Sequence, residues 1–262
     1  MKVIILAAGK GSRMGDLTQN TPKCMVNFLN KPLLSYNIDI FRKDKRIHDI
    51  IVLRGYYGEK ISYTEVIYYD VLNSNNMVET LFYAESELND ELIILYGDVI
   101  VDNDTLNYFI ESAKDDIVVL ADRNWHELHM LRVDNEFDDL ESFITDEQKN
   151  ITNIGDKNPT IKKVMGQYIG AIKLSKIGCE QFREFYKKMK TEINPDYKWM
   201  RGRNIRNIYM TDFLQGLIEN NYPVKAVMCD RGWLEFDSER DLNCYEKLYY
   251  SGKLNNFIKL KT

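Results

Sequence analysis

Three observations predict an α/β fold with a wound, mostly parallel sheet flanked by helices. Short apolar runs alternate with amphipathic stretches through the first half of the chain. The runs MKVII, IIVL and ELIILYGD are continuous, as strands covered on both faces are. A glycine-rich loop, LAAGKGSRMG at residues 6–15, follows directly on the first run.

After that loop, residues 32–42 place Leu33, Leu34, Ile38 and Phe41 on one helical stripe. Residues 50–53 form the second strand and 66–69 a short third one. Residues 77–87 read as a helix with Leu81 and Ala84 inward, and the polar cluster 73–76 before it is either a turn with an N-cap or a base-recognition loop. The next strand, 91–98, ends in Gly97-Asp98, so a carboxylate stands at the carboxyl end of a parallel strand, where open α/β sheets bind ligands. A helix over 104–114 and a strand over 117–121 continue the alternation.

Residues 122–158 change character: Asp134, Glu136, Asp138, Asp139 and Glu141 crowd among Trp125, Phe137 and Phe143, as an acidic lid excursion from the sheet. His126 and His129 lie in H-E-x-H, one residue short of the zinc motif H-E-x-x-H, so no metal is expected there. Strand pattern resumes over 166–174, a helix covers 182–193, and 196–207 is a polar, basic loop. A helix over 209–219 begins at Thr211 or Asp212 as cap, and a strand covers 223–228. In GWLEFDSERDL, Glu235 and Asp237 project to one face of an extended segment. A terminal helix starts at Asp241, and the apolar stretch 254–260 is an interface or a capping helix. No repeat or linker divides the 262 residues, so one domain is expected.

With 44% hydrophobic residues, the chain can fill one extended core. A net charge of −5 argues against a nucleic-acid surface. Cys24, Cys179, Cys229 and Cys244 are scattered without a C-x-x-C pair, which fits a reducing cytoplasm and indicates neither disulfides nor zinc. The opening run is too short for a signal peptide, and no stretch of about 18 apolar residues suggests a membrane span.

The loop is the chemical centre. Gly9, Gly11 and Gly15 make G-x-G-x-x-x-G, one residue too long for the dinucleotide fingerprint, and no P-loop sequence is present. What is left is backbone able to approach an anion, with Lys10 and Arg13 inside and Thr21-Pro22-Lys23 following.

LAAGKGSRMG, Thr21-Pro22-Lys23, Tyr96-Gly97-Asp98 and Trp233-x-Glu235-x-Asp237, in that order, resemble the nucleoside-triphosphate transferase superfamily over nearly the whole chain. The segments DRNW at 122–125, DDLES at 138–142, IGDK at 154–157, GQYIG at 166–170 and MTD at 210–212 resemble its phosphocholine cytidylyltransferase-like branch, which includes phosphoglutamine enzymes. The resemblance implies a Rossmann-like fold and transfer of CMP from CTP to a small phosphate or phosphonate acceptor, releasing pyrophosphate, with Mg²⁺. The product would be an activated donor for surface polysaccharide, and relatives are often homodimers. Residues 73–81, NSNNMVETL, lack the Gln-Pro and Gly-Leu pairs common in sugar-phosphate relatives, which favours the cytidylyltransferase branch. A sugar-1-phosphate nucleotidyltransferase using another NTP and a catalytically silent nucleotide-binding relative are the alternatives.

On this resemblance Leu6, Ala7, Ala8, Gly9, Lys10, Gly11, Ser12, Asn76, Thr80 and Gly97 bind the nucleotide. Arg13 holds its β- and γ-phosphates, Lys23 neutralises the α-phosphate or the incoming phosphate, and Lys157 matches the lysine that approaches the acceptor. Asp98 and Asp237, with Glu235 beside them, hold the metal. Trp125, Tyr168 and Trp233 near Glu141 enclose a cationic head such as choline, or the acids accept hydrogen bonds from an α-ammonium with Gln167 or Asp212 nearby.

Overall fold

The computed structural model describes residues 1–74 and 76–260; Asn75, in the predicted turn or base loop, lies outside them. In chain order the elements are β1 (Lys2–Ala7), β2 (Asn27–Phe28), β3 (Lys31–Pro32), α1 (Leu33–Lys43), β4 (Asp49–Arg54), β5 (Ile67–Asp70), α2 (Met77–Phe82), β6 (Leu92–Tyr96), β7 (Val99–Val101) and α3 (Asn103–Ser112). There follow β8 (Ile117–Asp122), α4 (Trp125–Arg132), β9 (Glu141–Thr145), β10 (Ile151–Lys157), β11 (Gln167–Leu174), α5 (Lys176–Glu192), α6 (Met210–Glu219), β12 (Lys225–Cys229), β13 (Trp233–Glu235) and α7 (Glu239–Tyr250).

Seven strands form one sheet in the order β12-β8-β11-β6-β1-β4-β5. All neighbours run parallel except β11, which is antiparallel to both β6 and β8. β1 shows why its run is continuous: Val3, Ile5 and Ala7 belong to the apolar core on one face, Ile4 and Leu6 to the core on the other. The first core takes Leu34, Ile38 and Phe41 of α1, and the second takes Phe182, Phe213 and Leu214 of α5 and α6.

Several expectations change in the structure. The helix predicted over 77–87 stops at Phe82 and continues as tight turns, with a 3₁₀ turn at Glu85–Glu87. The 122–158 segment is not one loose flap. Asp122 ends β8 fully buried, α4 packs on α7, and β9 and β10 pair as a hairpin that inserts Phe143, Ile151 and Ile154 into the core. Three of its exposed acids, Asp134, Asp138 and Asp139, lie in the turn of residues 133–139 between α4 and β9. The cap of α6 is Tyr209, and Asp212 stands at N3 with its carboxylate accepting from the Tyr209 N–H at 2.8 Å. In the stretch 254–260, a single 3₁₀ turn, Leu254–Asn256, takes the place of a capping helix, and Leu254, Phe257 and Ile258 are buried in the first core. No helix among the described residues is long and apolar enough to cross a membrane.

Candidate active site

The glycine loop leaves β1 and folds back on itself. Gly11 is in the left-handed region (φ 70°), and a Cβ on it would stand 2.7 Å from the Lys23 Cβ, so glycine allows the loop to rest on the lysine stem. The Thr18 hydroxyl donates to the Gly11 carbonyl at 2.8 Å and closes the turn. Gly97 solves a second close approach: a Cβ there would meet the Leu6 carbonyl oxygen at 2.9 Å, the acceptor of its own N–H. Between these turns and the start of α2 lies a cleft of about 420 Å³, a volume suited to a small ligand.

Leu6, Ala7, Ala8, Gly9, Lys10, Asn76, Thr80 and Gly97 line this cleft, together with Lys23 and Asp98. Gly11 and Ser12 lie outside the lining; Gly11 supports Lys23 instead. Ser74, from the polar cluster 73–76, and Met77 also line it, as do Cys24, Gly55 and Tyr56, to which no pattern in the sequence pointed. Lys10 lies over the Tyr56 ring, 5.3 Å from its centroid. The side chain of Asn76 is already committed: Oδ1 accepts from the Glu79 N–H at 2.9 Å, capping α2, while Nδ2 donates to the Arg206 carbonyl at 2.8 Å. The Thr80 hydroxyl donates to the Asn76 carbonyl at 3.1 Å and pairs with Ser74 Oγ at 2.8 Å.

The two carboxylates far apart in sequence meet because β13 pairs antiparallel with β7, Glu235 opposite Val99, and the Phe236 N–H donates to the Asp98 carbonyl at 3.0 Å. Lys23 joins them, its Nζ 2.5 Å from Asp98 Oδ2 and 2.7 Å from Asp237 Oδ1. Arg13 reaches Asp237 Oδ1 at 3.1 Å and Asp139 Oδ2 at 3.0 Å, tying the loop to the acidic turn. Arg132, in the last turn of α4, holds Glu235 at 2.7 Å, Asp237 at 3.1 Å and Asp241 at 3.0 Å. Sequence reasoning missed it, because its three partners lie more than a hundred residues further on and only the fold brings them to it.

Burial opposes the charge on Lys23, but Asp98 and Asp237 outweigh it and raise its pKa. Burial would raise the pKa of Asp237; Lys23, Arg13 and Arg132 reverse that and lower it. At Glu235 burial wins, reinforced by the Asp237 charge, and the pKa is raised despite Arg132. Among the described residues no three histidine, cysteine or acidic side chains are gathered into a ready metal cage. The donor chemistry nevertheless suits magnesium: hard carboxylate oxygens of Asp98 and Asp237 already converge on one cation.

On the acceptor side, Lys157 and Glu141 face each other across β9 and β10 and pair at 2.9 Å. Tyr168 stands edge-on to Tyr96 with centroids 6.0 Å apart, and the buried Gln167 Oε1 has no hydrogen-bond partner among the described residues. Two expected rings drop out. Trp233 is fully buried, its indole N–H donating to Asp122 Oδ2 at 2.9 Å, and Trp125 packs with Leu140 and Val164 at 5% exposure. Both are core because their apolar surface is large and the strand and helix carrying them face inward. Asp212 is also corrected: it is fully buried and bound by Arg201 at 2.8 Å and Arg203 at 3.2 Å, so it organises a basic turn.

A family model for the MobA-like NTP transferase domain matches residues 3–157, from the first strand through Lys157. The chain belongs to this family. Within it, the chain is 34% identical over 256 residues to the CTP:phosphoglutamine cytidylyltransferase of Campylobacter jejuni, covering 92% of this chain and 98% of that one. It is 38% identical over 100 residues to the choline-phosphate cytidylyltransferase of Streptococcus pneumoniae, 36% of this chain and 43% of the relative. The solved structure of the CTP:phosphocholine cytidylyltransferase from Streptococcus pneumoniae superposes with a TM-score of 0.70 at 20% identity, covering 95% of this chain and 98% of that one. The Rossmann-like fold expected from the sequence is thereby shown.

The acidic turn of residues 133–139 is held by a titratable anchor. His129 is 2% exposed, shares a hydrogen bond of 2.9 Å with the Glu136 carbonyl, and meets the Trp125 ring at 5.4 Å. Burial lowers its pKa, so the unfolded chain binds the proton more tightly. This contribution to stability is full above the ordinary histidine value of about 6.5 and is lost as pH falls through the folded value. His129→Gln keeps an amide donor for the carbonyl. Its melting temperature should fall less between pH 7 and pH 5 than that of the parent, and equal slopes would exclude this role.

Proposed function

We propose that this chain is a magnesium-dependent cytidylyltransferase that transfers CMP from CTP to a small acceptor bearing a phosphate or phosphonate. The convergence of Asp98 and Asp237 on Lys23, which lines the glycine-loop cleft together with Asp98, carries the proposal. A buried ammonium placed between carboxylates, beside backbone that admits an anion, suits a site for a polyphosphate and its counter-cation. The 34% identity over almost the full length to a CTP:phosphoglutamine cytidylyltransferase supports CTP as donor.

An acceptor oxygen forms a bond to the α-phosphorus while the bond from that phosphorus to the bridging α,β-oxygen breaks, and pyrophosphate leaves with that electron pair. The nucleophile is already anionic, so no general base is needed, and rate comes from positioning and charge neutralisation. Lys23 neutralises the α-phosphate, Arg13 turns from its exposed ion pairs to the β- and γ-phosphates, and Lys157 holds the acceptor. When bound, the divalent ion held by Asp98 and Asp237, with Glu235 alongside, supplies Lewis-acid neutralisation of the phosphates.

Pyrophosphate release measured for CTP, UTP, GTP and dTTP against phosphoglutamine, phosphocholine, aminoethylphosphonate and glucose 1-phosphate tests this reading. CTP with one of the first three acceptors should dominate. Preference for glucose 1-phosphate with another NTP would replace the proposal by a sugar-phosphate transferase, and silence with every pair would leave a nucleotide-binding protein.

A further inference from the structure

Lys10, Arg13, Lys23 and Lys157 are the cations expected at the substrates, and their electrostatic states differ. Arg13 is paired with Asp139 and Asp237, Lys23 with Asp98 and Asp237, and Lys157 with Glu141. Each of these three has to share or give up a carboxylate before an anion meets its full charge. Lys10 does not. It is exposed, makes no hydrogen bond or ion pair among the described residues, and lies over the face of Tyr56, its ammonium nitrogen 5.3 Å from the ring centroid. An aromatic face attracts a cation through its quadrupole but carries no net charge, so the ammonium is placed without being neutralised.

Tyr56 is itself held at three points. Just beyond β4, its backbone N–H donates to the Ala8 carbonyl, at the start of the glycine loop, at 3.4 Å. Its hydroxyl donates to the Gln19 carbonyl, past the end of that loop, at 2.6 Å. Tyr57 stands edge-on to it with centroids 4.6 Å apart, and donates its own hydroxyl to Asn20 Oδ1 at 3.0 Å. One residue thereby spans both limbs of the loop and supports Lys10, which lies between them in sequence. Tyr56 and Lys10 both line the cleft, as do Gly9 and Lys23, so ring and ammonium border the space a nucleotide would fill.

Resting on the cytidylyltransferase reading, we infer that Tyr56 is a positioning residue, whose ring holds the Lys10 ammonium at the cleft, unneutralised, to receive the triphosphate of the nucleotide. A lysine on a free stem samples many rotamers, and restricting them beforehand reduces the ordering cost that binding would otherwise carry. A carboxylate in the place of the ring would restrict the stem equally well but would repel the phosphates. Lys10 can therefore take up the triphosphate with no ion pair to break, while Arg13 and Lys23 exchange theirs.

The test is a double-mutant cycle read by calorimetric binding of CTP and by KM for CTP. Lys10→Met should weaken CTP by about tenfold, as loss of a charge-assisted hydrogen bond does. Tyr56→Leu should weaken it by about two- to fivefold, the range of an exposed cation–π pair, in Kd and KM with kcat unmoved. In the Lys10→Met background Tyr56→Leu should add nothing, because the cation it serves is absent. Tyr56→Phe keeps the ring face and drops only the hydroxyl contact to Gln19, so it should recover most of the affinity lost in Tyr56→Leu. Additive losses from Lys10→Met and Tyr56→Leu overturn the assignment, and so does a Tyr56→Phe as weak as Tyr56→Leu, which would make the residue a brace for Gln19. Either result leaves pyrophosphate release from CTP, and with it the cytidylyltransferase reading, intact. A folded parent that binds no CTP overturns both.

Discussion

Asp98→Asn should lower pyrophosphate release by about a hundred- to a thousandfold and leave the melting temperature within a few degrees of the parent. The asymmetry follows from what Asp98 touches. Among the described residues its carboxylate makes one ion pair, to Lys23 at 2.5 Å, and an asparagine oxygen can still accept that hydrogen bond, so the fold loses little. The reaction loses more, because the negative charge that orients Lys23 and would hold magnesium at the transferring phosphate is gone. Turnover at the parental rate would remove Asp98 from the reaction altogether. A large drop in melting temperature would instead make it a structural residue.

Arg132→Met should destabilise the protein by about 3 to 5 kcal/mol, a drop of roughly 10 °C in melting temperature. Arg132 is buried and is shared by Glu235, Asp237 and Asp241. A methionine of similar length fills the space but leaves three carboxylates with fewer counter-charges. Glu235, whose pKa burial and Asp237 already raise, is the group with least reason to stay ionised. Adding Glu235→Gln to Arg132→Met should therefore recover part of the loss, and a thermal double-mutant cycle measures the coupling. Additive effects would mean that the pair contributes only packing.

The strands were legible because a sheet covered on both faces demands unbroken apolar runs, and 50–53, 91–98 and 117–121 all supply them. The antiparallel direction of β11 was not, since its composition is that of any buried strand and direction is set by the long connection before it. Part of the cleft lining was legible for a similar reason: Gly9, Lys10, Gly97 and Asp98 follow directly on β1 and β6, where position in sequence and position in the cleft coincide. The acceptor half depends on tertiary contacts. Whether Trp233 faces a ligand or the core is decided by Asp122, more than a hundred residues away, and whether Asp212 is available is decided by Arg201 and Arg203. Asn76 belongs with these cases, as its amide is used up by a helix end and by the backbone of Arg206.

The pairing of β13 with β7 also sets a timetable. Asp98 and the glycine loop leave the ribosome early, while Asp237 follows 139 residues later. At about 5 to 20 residues per second that is an interval of roughly seven to thirty seconds. Throughout it Lys23 has only one of its two carboxylates, and β7 lies without the strand that covers it. The newborn chain thus owns the glycine loop and Asp98 well before it owns the second acid that pairs with Lys23.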